Sequence, residues 1–138
     1  MRPRDLEKVR KEVERIRDRL EMPIDPKIKD LVIGLRRWGI ETTASCEGHL
    51  NHGYPYPWVD IDRKDLEKIT RIVGIWWSGK DKDHPATDQT RWVIKPFATF
   101  VRIVPEDKKS RSLKEMQKDA VAFGKYLQTL PDNFFTAP

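Results

Sequence analysis

Gly39-Ile40-Glu41-Thr42-Thr43-Ala44-Ser45-Cys46 is the stretch at which this chain changes its hydrophobic period. Before it, Ile28, Leu31, Val32, Leu35 and Trp38 recur every three or four residues, as on one face of a helix. Asp25 and Pro26 suit the start of that helix and Gly39 its left-handed stop. From Ile40 the residues are β-branched or small and alternate, which predicts a strand over 40–46.

Upstream of this switch, residues 4–21 place Leu6, Val9, Val13, Ile16 and Leu20 on a narrow apolar stripe of a charged helix. Such a seam suits docking on the chain's own core or, alternatively, a homodimer. Downstream, residues 47–57 carry two glycines and two prolines and read as loop. Trp58-Val59-Asp60-Ile61 is a second strand, and Asp62 can cap a helix carrying Leu66, Ile69, Val73 and one of Trp76 and Trp77. Residues 78–90 are a polar loop, and 91–95 and 99–104 are two further strands turning at Pro96. Ser112 and Glu115 form a capping box before a last helix, and the tail after Pro131 is loose unless Phe134 and Phe135 dock. The expected fold is α+β in the order α-α-β-β-α-β-β-α, a four-stranded, mostly antiparallel sheet with helices packed on it.

The length, 138 residues, is that of one domain. Of these residues 36% are charged, with both signs interspersed, so the surface is solvated and the chain is not of the disordered class. Two Asn and three Gln among so many charges resemble a heat-adapted proteome. No apolar run approaches the ~20 residues that span a bilayer, so no membrane partner is expected. One cysteine makes no internal disulfide and the chain opens on a charged helix, which leads us to expect a cytoplasmic protein. The net charge of +5 suits a polyanion such as nucleic acid, yet the basic residues are spread out. Their densest run is Lys108-Lys109-Ser110-Arg111 with Lys114 beyond it.

Chemistry concentrates just past the first strand. Cys46, His49 and His52 follow one another as Cys-x-x-His-x-x-His, a set of thiolate and imidazole donors fit for zinc. Three protein ligands with an open fourth position is the catalytic arrangement, and Asp60 or His84 is available to complete it. Glu47 stands beside them as a general base on metal-bound water. Without metal, Gly48 permits a sharp turn whose exposed amides can hold an anion in a backbone nest. Thr42, Thr43 and Ser45 add hydroxyls, and Cys46, Glu47 and His49 are the candidate catalytic groups. The structural reading stands beside these. Cys46 shares parity with Ile40, Thr42 and Ala44 and suits a small buried hydrophobe, and the polar residues suit loop capping.

The same parity argument places Val59, Ile61, Val101 and Ile103 toward the helices and Trp58, Asp60, Phe100 and Arg102 on the opposite face, where Trp92 can join them. Left open, that face is a stacking platform for nucleic acid; covered by one of the first two helices, it is core. Tyr54, Tyr56 and Trp58 lie in a stiff loop rich in proline, suited to a binding wall.

The stretch from Gly39 to His49 resembles a motif of small uncharacterised bacterial and phage proteins, roughly Gly-aromatic-x-Thr-x-x-Ser-Cys-Glu-Gly-His. That resemblance implies no activity. More loosely, the stretch is similar to the wybutosine-synthesising tRNA methyltransferases, whose Thr-Thr-Ser-Ser-Cys-Ser-Gly-Arg also follows a helix. Thr42, Thr43, Ser45, Cys46 and Gly48 match, while Glu47 and His49 replace that family's serine and arginine. The sequence therefore leads us to expect a small enzyme or ligand-binding domain for a polar, anionic molecule. Cys46, Glu47 and His49 would act on a ligand held by Thr42, Thr43, Ser45, Gly48, Tyr54, Tyr56, Trp58, Asp60 and Arg102. The alternatives are a nucleic-acid-binding module and a structural dimerising protein.

Overall fold

A computed structural model describes residues 1–78, 91–106 and 108–136. The elements run α1 (Leu6–Glu14), α2 (Pro26–Arg37), β1 (Thr42–Cys46), β2 (Trp58–Asp62), α3 (Leu66–Ser78), β3 (Trp92–Pro96), β4 (Phe100–Pro105) and α4 (Leu113–Thr129). This is the predicted order. The strands form one antiparallel sheet with spatial order β1-β2-β4-β3, so β1 is an edge strand.

Alternation along the two central strands decides which face is core. Val59 and Ile61 of β2 and Val101 and Ile103 of β4 are fully buried. They pack with Leu31 of α2, Ile69 of α3 and Phe123 of α4, so these three helices share one face of the sheet. Helices α2 and α4 approach closely through glycines. A Cβ on Gly124 would stand 2.3 Å from the Asp30 carbonyl carbon, and one on Gly34 would stand 2.8 Å from the Gly124 oxygen. That contact brings the first turns of α4 beside the end of β1. As read from the sequence, Ser112 and Glu115 form a capping box and only one of the Trp76-Trp77 pair is buried; the structure shows that it is Trp76, with Trp77 exposed. The residues after Pro131 are docked as far as 136: Phe135 is buried, its ring edge-on to Trp38 at 4.8 Å.

Helix α1 departs from the sequence reading. It stops at Glu14 rather than near residue 21, and Leu20, the last residue of the predicted stripe, is 81% exposed. The reason is local. The Asp18 carboxylate accepts the backbone N–H of Leu20 at 2.8 Å and of Met22 at 3.0 Å, an alternative to helical bonding. Glu21 then takes a left-handed φ of 61°. The surviving seam is used within the chain, where Val9 and Val13 pack on Val32 and Ile33 of α2. Among the described residues no helix is long and apolar enough to cross a membrane.

Candidate functional site

The turn after β1 is built around Gly48, whose φ is +90°. A Cβ there would stand 2.7 Å from both a Leu113 methyl and the Tyr56 carbonyl carbon, so glycine is required by conformation and by space. Three successive backbone N–H groups leave this turn, and each is already donated within the fold. Glu47 N–H donates to the Asp25 carboxylate at 3.1 Å, Gly48 N–H to the Cys46 sulfur at 3.4 Å, and His49 N–H to the Tyr54 carbonyl at 3.0 Å. The expected backbone nest for an anion is therefore filled by the protein's own acceptors.

Asp25 and Glu47 exchange roles at the head of α2. Asp25 sits at the N-cap position but makes no capping bond with its own side chain. The Glu47 carboxylate takes that place, accepting from Lys27 N–H at 3.1 Å. Relieved of capping, the Asp25 carboxylate faces Cys46 and His49. One donor atom from each of Asp25, Cys46 and His49 lies within 4.8 Å of the other two. His49 Nε2 stands 3.7 Å from Asp25 Oδ2. The trio differs from the one expected in sequence. His52 instead stacks on the His49 ring, centroids 4.2 Å apart, and pairs its Nδ1 with Asn51 at 2.8 Å. Asp60 is engaged elsewhere, and His84 lies outside the described residues.

Cys46 is half-buried, and its parity is not the one expected. The register shifts between Thr42 and Ala44, so Thr42 pairs with Ile61 but Ala44 pairs with Asp60 and Cys46 with Trp58. This bulge transfers Ala44 and Cys46 from the core set to the opposite one. Burial raises the Cys46 thiol above its ordinary value; the charges of Asp25 and Glu47 add to this, and the Gly48 N–H works against it.

A cleft of about 640 Å³ opens beside β1. Thr43, Ala44 and Ser45 form one wall, residues 16–18 and 22–25 the other, with Cys46, His49, His52, Tyr54 and Trp58 at one end. The early stop of α1 creates the far wall, since Ile16, Arg17 and Asp18 no longer continue a helix. Thr42 is largely withdrawn from the cleft. Its hydroxyl and carbonyl accept from Arg36 at 2.7 and 2.9 Å, and Arg36 also holds Glu12 of α1 at 2.6 Å.

The rest of the expected site lies on the sheet face away from α2, α3 and α4. On this face Asp60 and Val104 are buried, while Trp58, Phe100 and Arg102 are part-exposed. Arg102 holds Asp60 through two bonds of 2.6 and 3.0 Å, an arrangement that raises the arginine pKa further. Its guanidinium lies 4.2 Å from the centre of the Trp58 ring. Trp92 does not join this group: it is buried on the helix side, donating its indole N–H to Asp119 at 2.8 Å.

Three positioning residues were not singled out from the sequence. Asp25 read only as a helix cap, and Arg36 and Gln117 as helix residues. Gln117 of α4 donates to the Glu47 carbonyl at 3.0 Å and holds the turn from behind. A buried glutamine among core positions is the only signal it leaves. No protein-family model, curated protein or solved structure matches the chain.

Proposed function

We propose that this protein is a small enzyme or ligand-binding domain for a polar, anionic molecule, acting in the cleft beside β1. Zinc would be held there by Asp25, Cys46 and His49. One observation carries the reading: the carboxylate of one helix start and the thiol and imidazole of one turn converge at the end of the cleft. A thiolate, a carboxylate and a neutral imidazole balance a divalent cation, and these donor types suit zinc. A tetrahedral zinc sets its ligand atoms about 3.5 Å apart, so donors within 4.8 Å need only small side-chain rotations to meet it. The Glu47 and Gly48 amides would orient the carboxylate and support the thiolate from behind. A bound cation would also work against the burial and the neighbouring carboxylate charges that raise the thiol's pKa.

With three protein ligands the fourth position opens to the cleft, where bound zinc would acidify a water or polarise a ligand oxygen. Thr43, Ser45, His52 and Tyr54 line the space a ligand would fill, and Arg17 supplies a nearby positive group. Glu47, docked on α2, acts as a cap and not as a base in this arrangement.

The test is elemental analysis of protein purified without chelator. About one equivalent of zinc per chain is expected, lost in Cys46→Ser and in Asp25→Asn and retained in His52→Ala. Wild-type protein that takes up no zinc, or Cys46→Ser that keeps it, refutes the reading.

A further inference from the structure

The open face of the sheet carries more aromatic and cationic surface than the cleft uses. Phe97 and Phe100 stack at 4.7 Å, and Tyr54 and Tyr56 at 5.3 Å. Arg102 stands between the pairs, 5.7 Å from the Phe97 ring and 5.9 Å from the Tyr54 ring. Phe97 is 43% exposed and Tyr54 48%, so each presents ring surface to solvent.

Asp60 compensates Arg102 on this face, and two lysines stand beside that pair. Lys95 pairs across the sheet with Arg102, and Lys108 lies 5.3 Å from the Tyr56 ring. The Lys95 and Lys108 ammonium groups lie against one another. Burial, followed by this like-charge contact, lowers the Lys108 pKa. Among the described residues no carboxylate forms an ion pair with either lysine. Two ammonium groups held together are the complement of a phosphate. The basic run that begins at Lys108 continues the charge away from the sheet.

We propose that this face binds single-stranded nucleic acid, with bases stacked on Phe97 and the tyrosines and a phosphate seated between Lys95 and Lys108. Stacking needs bases free of a duplex, and a sheet with exposed rings offers room for about two or three of them. A groove reader would instead present a helix or ribbon, which this face does not. Sugar and base identity are left unread, because the face offers rings and charges but few directional acceptors. Tyr54 lines the cleft as well, but Phe97, Lys95 and Lys108 lie outside it, so variants at these three test this inference apart from the zinc reading.

The experiment titrates labelled oligothymidylate and oligouridylate of about ten nucleotides with the full chain at low salt, followed by anisotropy. Binding of either oligomer is expected, weakening linearly on a log–log salt plot with a slope of roughly 0.7 per phosphate neutralised. The double variant Lys95→Gln, Lys108→Gln, which removes the one seated phosphate, should lower that slope by about 0.7. Phe97→Ala, at an exposed position, should weaken binding roughly 5- to 150-fold with the slope unchanged. Absence of binding to both oligomers overturns the proposal. So does a duplex of equal length that binds as tightly, or affinity unmoved by both sets of variants in protein that remains folded by circular dichroism.

Discussion

The turn after β1 and the open face of the sheet are both rich in polar and aromatic groups, yet they use them in opposite ways. At the turn, the amides of 47–49, the Glu47 carboxylate and the Glu47 carbonyl are all paired inside the fold. On the sheet face, Lys95, Lys108 and the exposed ring of Phe97 hold nothing up. A paired buried group costs its desolvation when the partner goes, whereas an exposed ring costs little. The difference therefore separates residues that make a site from residues that await a ligand.

The strongest attempt to break this contrast is Gly48→Ala. With a φ of +90° and a Cβ 2.7 Å from two neighbours, it should lose about 3 kcal/mol in urea unfolding, and zinc with it. Near-neutral stability would show that the turn is not the rigid element described.

Next in size are the partners of Glu47. Gln117→Ala leaves the Glu47 carbonyl without its donor and should cost about 2 kcal/mol. Glu47→Ala, which uncaps α2, should cost about 1 kcal/mol. His49→Ala in metal-free protein should stay within about 0.5 kcal/mol, since its side chain bonds no backbone group. If His49→Ala cost as much as Glu47→Ala, the imidazole would belong with the scaffold.

Asp25→Asn sharpens the comparison through reactivity. The Cys46 thiol is raised by burial first and by the neighbouring carboxylates next, so a lost negative charge favours thiolate and lowers its pKa. In metal-free protein near pH 8, below the ordinary thiol value of about 8.5, the variant should alkylate faster with iodoacetamide than wild type. An unchanged rate would mean that Asp25 does not sense the thiol.

The smallest effect belongs to the other region. Phe97→Ala should leave stability within about 0.5 kcal/mol of wild type, because the residue is already 43% exposed. A loss of several times that size in thermal melts would make the aromatic face a core and not a platform.

What the chain settles by itself is whatever depends on near neighbours. The change of period at Gly39, the Pro26 start, the Ser112 box and the left-handed glycine at 48 are local preferences, and each element forms where they place it. Alternation along β2 and β4 likewise names the buried face, because side chains on a strand alternate whatever surrounds them. The folded chain decides what rests on one local irregularity or on distant pairs. One extra residue in β1 reverses the parity of Cys46, and Asp18 ends α1 early to make a cleft wall. Asp25 reaches the site only because Glu47, distant in sequence, takes over its capping bond. No periodicity encodes such exchanges: a carboxylate's role follows from which donor is nearest after packing, and packing brings together residues that the chain keeps apart.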